Sequence, residues 1–426
     1  MMFIDRIFLS RYSAVCIQAA LPAGLISFMT LAFLQNIVHY SGTFVAQYYG
    51  AGARAACARA MGQGIWLAIL CIPILLLSIP LGYWIFEFAG HAPEVIIAER
   101  NYYLTLTIGS FFIPFGAALS GFFTGRGFTR LVMVANLIGN ATNILLDPLF
   151  IWGWGPVPEL GIVGAGIATA IGQFLIVLIL AIAVIRERHF STAFRRRVAF
   201  AIKPPLMLRI VRYGVPSGSH VLLDISTFTI FVFITGRLDE LSFAASNIAL
   251  AINHLIFAPL MGIAMAATVL VGQRIGAQDP KGATHAGGKC LLIGFCYILL
   301  SILIIGSFHE PILRSFYADD APFAYADYLK IGKMLIFLFL LWGTGDACNI
   351  ILGGALKGAG DTRFVMWTTG IISVVLWLPA IFILYRLGCG IVPLWWTMPG
   401  YVFIAATTFL WRFFHGDWRK HNLIRQ

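Results

Sequence analysis

Charge is absent from six long stretches of this chain: 62–86, 101–123, 161–185, 290–308, 364–385 and 387–411 contain no Asp, Glu, Lys or Arg. Each comes close to, or exceeds, the roughly 20 apolar residues that cross the hydrocarbon core of a bilayer. In lipid such segments must be helical, because a helix satisfies its own backbone N–H and C=O groups. Reading outward until polar residues gather predicts spans at about 14–49, 62–87, 95–124, 130–152, 161–185, 214–236, 241–276, 286–309, 324–356, 363–385 and 390–413. The expected fold is an all-α polytopic membrane protein.

Composition agrees, since 60% of the 426 residues are hydrophobic and 11% are charged, against about a quarter charged in ordinary domains. The net charge of +11 raises the question of nucleic acid, which its placement answers. Alternate connections hold 21 of the 29 Lys and Arg residues, including Arg54, Arg59, Arg126, Arg130, Arg274, Lys281, Lys289, Lys357, Arg363 and the stretch Arg186 to Arg212. Glu94, Glu159, Asp239, Glu240, Glu310, Asp319 and Asp320 fall on the opposite side. The positive-inside rule makes the basic side cytoplasmic, with the central linker and the C-terminus there. A cell (inner or plasma) membrane location follows, and no nucleic-acid partner is expected. The seven cysteines lack metal-ligand spacing and read as small packing residues. No metal and no cofactor are expected.

The only long polar linker divides the chain into a first lobe at 1–190, a linker at 191–212 and a second lobe at 213–426. The two lobes repeat one another. GFFTGRGFTR (121–130) matches GALKGAGDTR (354–363) at a shift of 233, and VAQYYGA (45–51) matches VGQRIGA (271–277) at a shift of 226. Both motifs follow an apolar run and land on the basic side, which implies parallel repeats. Their glycines read first as sites of close helix packing. Thr129, Asp361 and Thr362 read as N-caps of the helices that follow.

With these repeats, the stretches VAQYYGAGA, NLIGNATNILLDPLFIWG (136–153), GIVGAGIAT (161–169), GVPSGSHVLLD (214–224), VGQRIGAQDP and GALKGAGDTR resemble the multidrug and toxic compound extrusion (MATE) family of secondary transporters. The resemblance implies about twelve transmembrane helices in two six-helix pseudo-symmetric lobes around a central cleft. It also implies drug or metabolite efflux driven by inward flow of protons or sodium. A monomer, exchanging small-molecule substrates within membrane lipid, is expected.

Four aspartates are read as mid-membrane groups: Asp5, ahead of the spans above, and Asp147, Asp224 and Asp346 within them. Each costs about 2.5–3.5 kcal/mol at mid-membrane, so such groups usually face water or a partner. Asp147 follows Asn136, Asn140 and Asn143 at steps of 4, 3 and 4, which places all four on one helical face. A carboxylate among amides suits an ion or proton site, and a polar seam between helices is the alternative. Ser217, His220, Asp224 and Thr227 follow the same design, with His220 as a second titrating partner or a packing residue. Asp346 has Asn349 one turn on. Gln35, Asn36, His39, Asn253 and His254 are further cleft-lining candidates, with burial as the plainer reading of the histidines. The family resemblance implies that Asp5, Asn143 and Asp147, with Asn140 alongside, form a proton site. Asp224 and Asp346, with His220 and Asn349 one turn away from them, are expected to form a second acidic, substrate-facing site. The second-lobe acids match positions associated with sodium coupling, so both ions stay open, with protons favoured.

An ion-coupled antiporter of small organic compounds, working by alternating access, is the leading reading. A flippase of lipid or lipid-linked oligosaccharide is the alternative, although mid-span acids disfavour an anionic cargo. An intramembrane enzyme would need motifs such as HExxH or GxSxG that the sequence lacks. The opening MMFIDRIFLS adds one expectation. At the 226 shift Met1 falls opposite Thr227 and about 13 residues of the partner span have no counterpart, so the first helix is read as incomplete. A missing lead-in of roughly 20–30 residues is expected, since a ten-residue helix covers only some 15 Å. An eleven-helix variant is the alternative.

Overall fold

The structure, a computed structural model, describes residues 2–153, 157–187, 193–317, 323–421 and 423–424. Its elements are α1 (Met2–Tyr12), α2 (Ala14–His39), α3 (Ser41–Gly50), α4 (Arg54–Ala89), α5 (Pro93–Gly109), α6 (Phe112–Thr124), α7 (Thr129–Trp152) and α8 (Gly161–Arg186). They continue as α9 (Ala193–Phe200), α10 (Pro204–Thr235), α11 (Glu240–Gly276), α12 (Pro280–Phe316), α13 (Tyr325–Ala359), α14 (Thr362–Gly370), α15 (Leu378–Arg386) and α16 (Ile391–His415). A π-helical stretch, Ile371–Trp377, joins α14 to α15. Asp319 and Asp320, and the side chain of His254, lie outside the described residues.

Ten stretches of described helix are long and apolar enough to cross a membrane. The eleventh predicted span forms as the 25-residue α16, whose Trp395, Trp396, Thr397 and Pro399 dilute its apolar character. Side chains such as Leu77, Phe88 and Leu145 are more than 70% exposed, an arrangement that lipid tolerates and water does not.

The helices sort into two compact units, Met1–Gly218 and Ser219–Gln426. The division falls inside α10, at Ser219, six residues past the second lobe's predicted start at 213. In the first unit α7 lies along α8, and α5 contacts both α2 and α8. Leu9, Phe86, Tyr102, Tyr103 and Ile151 fill its core. In the second unit α11 and α16 pack on α13, around Phe231, Phe339, Trp395 and Phe409.

The duplicated glycine motif is built the same way in both units. A Cβ on Gly121 would meet the backbone of Gly42, and one on Gly354 would meet the Ala264 carbonyl. Gly127 and Gly360, at matching positions, have φ of +87° and +103°, where L side chains are strained. These glycines therefore bring helices together and end them. The capping expectation needs correction. Phe128 holds the N-cap position of α7 and Thr129 is the first helical residue. Asp361 does sit at the N-cap of α14 but gives α14 no side-chain cap, because its Oδ2 accepts a bond from Arg412 Nε at 2.8 Å. A charge-assisted pair outweighs a neutral cap there. Thr362 is the first residue of α14.

Candidate functional site

Asp5 on α1, Asn143 and Asp147 on α7, and Thr169 on α8 converge inside the first unit. The first three have no exposed surface and Thr169 is 9% exposed. Asn143 and Asp147 are one turn apart, so their side chains stack on the same face of α7. Asn143 Nδ2 lies 3.1 Å from Asp147 Oδ1, 3.2 Å from Thr169 Oγ1 and 3.5 Å from Asp5 Oδ1. An amide nitrogen has two hydrogens, so it serves two of these acceptors at a time. The Thr169 hydroxyl donates to Asp5 Oδ2 at 3.0 Å, and the Tyr102 hydroxyl reaches the same oxygen at 3.4 Å. Asn143 Oδ1 and Asp147 Oδ2 are buried with no hydrogen-bond donor among the described residues. No salt bridge among those residues reaches either carboxyl.

Pro148 follows Asp147 directly. It lacks an N–H, so the Ile144 carbonyl on the intervening turn has no i+4 donor. Asn136 and Asn140 share the helix but not the cluster. Asn140 Nδ2 donates to the Asn136 carbonyl at 2.7 Å, and Asn136 Nδ2 turns back to Val132.

The cluster is not repeated in the second unit. At the 226 shift Asp5 corresponds to Phe231, which stacks on Trp377 and meets Trp395 edge-on. Acidity in the second unit gathers elsewhere. His220 Nε2 lies 3.5 Å from Asp224 Oδ2 on the next turn of α10, and the Asp224 side chain is 37% exposed. Asp346 on α13 has Asn349 one turn on and stands near enough to Asp224 to feel its charge. Lys357 and Tyr401 also stand within electrostatic reach of Asp224. His220 Nδ1, Asp224 Oδ1 and Asn349 Oδ1 have no hydrogen-bond partner among the described residues. Ser217 and Thr227 are buried, the latter bonded back to the Leu223 carbonyl. Asn36 likewise bonds its own helix.

Thr169, Tyr102, Lys357 and Tyr401 are the site residues that sequence reasoning did not single out. Thr169 closes the GIVGAGIAT stretch, but a lone hydroxyl in an apolar helix usually bonds its own backbone.

A model of the MatE family matches residues 1–149 and 216–383, most of the chain. The chain belongs to the MatE family. Solved MATE structures share its fold. A MATE protein crystallised in a bent conformation has 21% identity and a TM-score of 0.82, over 96% of this chain and 89% of that one. The eukaryotic MATE transporter AtDTX14 has 18% identity and a TM-score of 0.82, over 99% of this chain and 92% of its own. A multidrug resistance MATE transporter in an outward-facing conformation has 20% identity and the same TM-score of 0.82, over 99% and 92%. A MatE chain with this many apolar helices is a multi-pass membrane transporter.

Proposed function

We propose that this MatE transporter is a proton-coupled antiporter that exports small amphiphilic or cationic organic compounds by alternating access. What supports the reading most is the pair of fully buried carboxyls, Asp5 and Asp147, which share the Asn143 amide without a cationic partner among the described residues. Two neighbouring carboxylates in a medium of low dielectric repel one another, and a proton taken up by the pair relieves that repulsion. A proton on one of them turns an acceptor into a donor and removes one charge. Its loss restores the repulsion. The cluster thereby alternates between two hydrogen-bond arrangements, and Asn143 adapts because its amide offers both donors and an acceptor. Such a bistable element is what coupling requires.

The acids of the second unit serve the cargo in this reading. Asp224 is partly exposed and flanked by Asp346, a combination that attracts cations and disfavours the phosphates of a lipid-linked sugar. The protein would sit in the cell membrane with the central linker and C-terminus on the cytoplasmic side. The direct test records proton flux from proteoliposomes with a pH-sensitive dye on adding a cationic fluorescent substrate. Wild-type protein should couple dye movement to counter-movement of protons, and Asp147→Asn should not. Dye movement without proton movement in the wild type would contradict the reading.

A further inference from the structure

The two units differ sharply on one face of corresponding helices. Helices α4 and α12 begin at Arg54 and Pro280, which are 226 residues apart, the shift of the sequence repeat. On α4 the face carrying Arg59, Gly62, Gln63 and Trp66 is covered by α9 and the residues after it. Gln63 Nε2 donates to the Ala201 carbonyl at 2.9 Å, Trp66 Nε1 to the Phe200 carbonyl at 2.9 Å, and a Cβ on Gly62 would strike the Ala199 carbonyl. The same positions on α12 are His285, Gly288, Lys289 and Leu292. Among the described residues, nothing lies within 4 Å of a Cβ built on Gly288. In place of the covering helix there is a groove of about 730 Å³ that also takes in Lys281, Phe414 and Arg419.

We propose that this groove binds the headgroup of an anionic phospholipid. Lys281, His285 and Lys289 recur every fourth residue and so form one exposed stripe, with Arg419 facing them across the groove and no carboxylate among the described lining residues. Basic pockets between helix ends at a membrane surface suit phosphate headgroups. Beyond the headgroup the same face of α12 turns apolar, with Leu292, Leu299 and Leu303 each about 60% exposed. An acyl chain can lie along it while the phosphate sits among the cations. A soluble phosphate would use the cations alone, and an apolar covering helix would leave Lys281 and Lys289 without a counter-charge.

Native mass spectrometry of the full-length protein in detergent tests this, with phosphatidylglycerol and phosphatidylcholine titrated in separate runs. Phosphatidylglycerol should bind tighter, and Lys281→Gln/Lys289→Gln should weaken it by roughly ten- to thirtyfold, at about 1 kcal/mol per basic residue. The control Arg54→Gln/Arg59→Gln, with the same charge loss in the first unit, should leave the affinity unchanged. Gly288→Phe, which fills the groove and keeps every charge, should weaken binding as well, so a poorly folding double variant does not remove the test. Equal affinity for the two lipids, unaltered binding by both groove variants, or displacement by inorganic phosphate at matched concentration would each overturn the proposal.

Discussion

Replacing Asp147 by Asn keeps the volume and the bond to Asn143 but removes the carboxyl proposed to gain and lose the coupling proton. Ion-driven transport should fall to background while the variant still inserts and elutes as a single species. Normal driven transport would remove Asp147 from the coupling reaction. Thr169→Ala takes a hydroxyl donor from Asp5 Oδ2 and leaves that buried oxygen with the longer Tyr102 bond. A stability loss on the order of 1–3 kcal/mol follows, readable as a lowered unfolding temperature in detergent, with Thr169→Ser restoring most of it. Among these residues, Asp5, Asn143 and Asp147 were legible because charge and amides stand out in an apolar run. Thr169 was not, since it becomes part of the site only by packing against a helix 164 residues away in sequence. Asn140 looked equivalent to Asn143 by spacing, yet its amide satisfies itself on its own helix, a choice that spacing does not reveal. His220–Asp224 and Asp346–Asn349 were readable because each pair lies within one helical turn.

Element by element, composition marks the hydrocarbon-facing part of a helix, while hydrogen bonds mark its whole length. The predicted 286–309 is the apolar middle of α12, which runs from Pro280 to Phe316, and the predicted start at 214 lies ten residues inside α10. Charged ends at the membrane surface extend the helix without making it more apolar. Asp239 illustrates a working end. It caps α11, with Ser242 N and Oγ donating to its carboxylate at 2.8 and 2.7 Å. Partial burial would raise its carboxyl, but the bonds from Ser242 outweigh that and hold it below the usual range. The folded value is depressed, so its stabilisation is present above the unfolded carboxylate range and is lost as pH falls through the folded value. Asp239→Ala should cost about 1 kcal/mol and speed hydrogen exchange in the first turn of α11, an acceleration absent at low pH. The glycine motif makes the complementary prediction. Gly358→Val would drive a side chain into the Thr268 backbone and destabilise by about 1–3 kcal/mol. Gly353→Ala, whose Cβ would meet its first neighbour at 3.7 Å, should be close to neutral in the same thermal assay.

At the scale of the molecule, duplication built two units with shared helix-ending glycines and different chemistry. One unit buries a two-carboxyl cluster, and the other has aromatic packing at the Asp5-equivalent position with its own acids near Asp224. The repeat was readable in the sequence because turn glycines tolerate few substitutes. The divergence of the two interiors was not, because side chains distant in sequence decide it. The central claim is that the buried pair in the first unit carries the coupling proton. The measurement that bears on it most directly is uptake of a cationic dye into proteoliposomes under a proton gradient alone and a sodium gradient alone, for wild type and Asp147→Asn. The account predicts concentrative uptake by wild type with the proton gradient, none with sodium, and none by the variant under either. Sodium-driven uptake that survives in Asp147→Asn would contradict it.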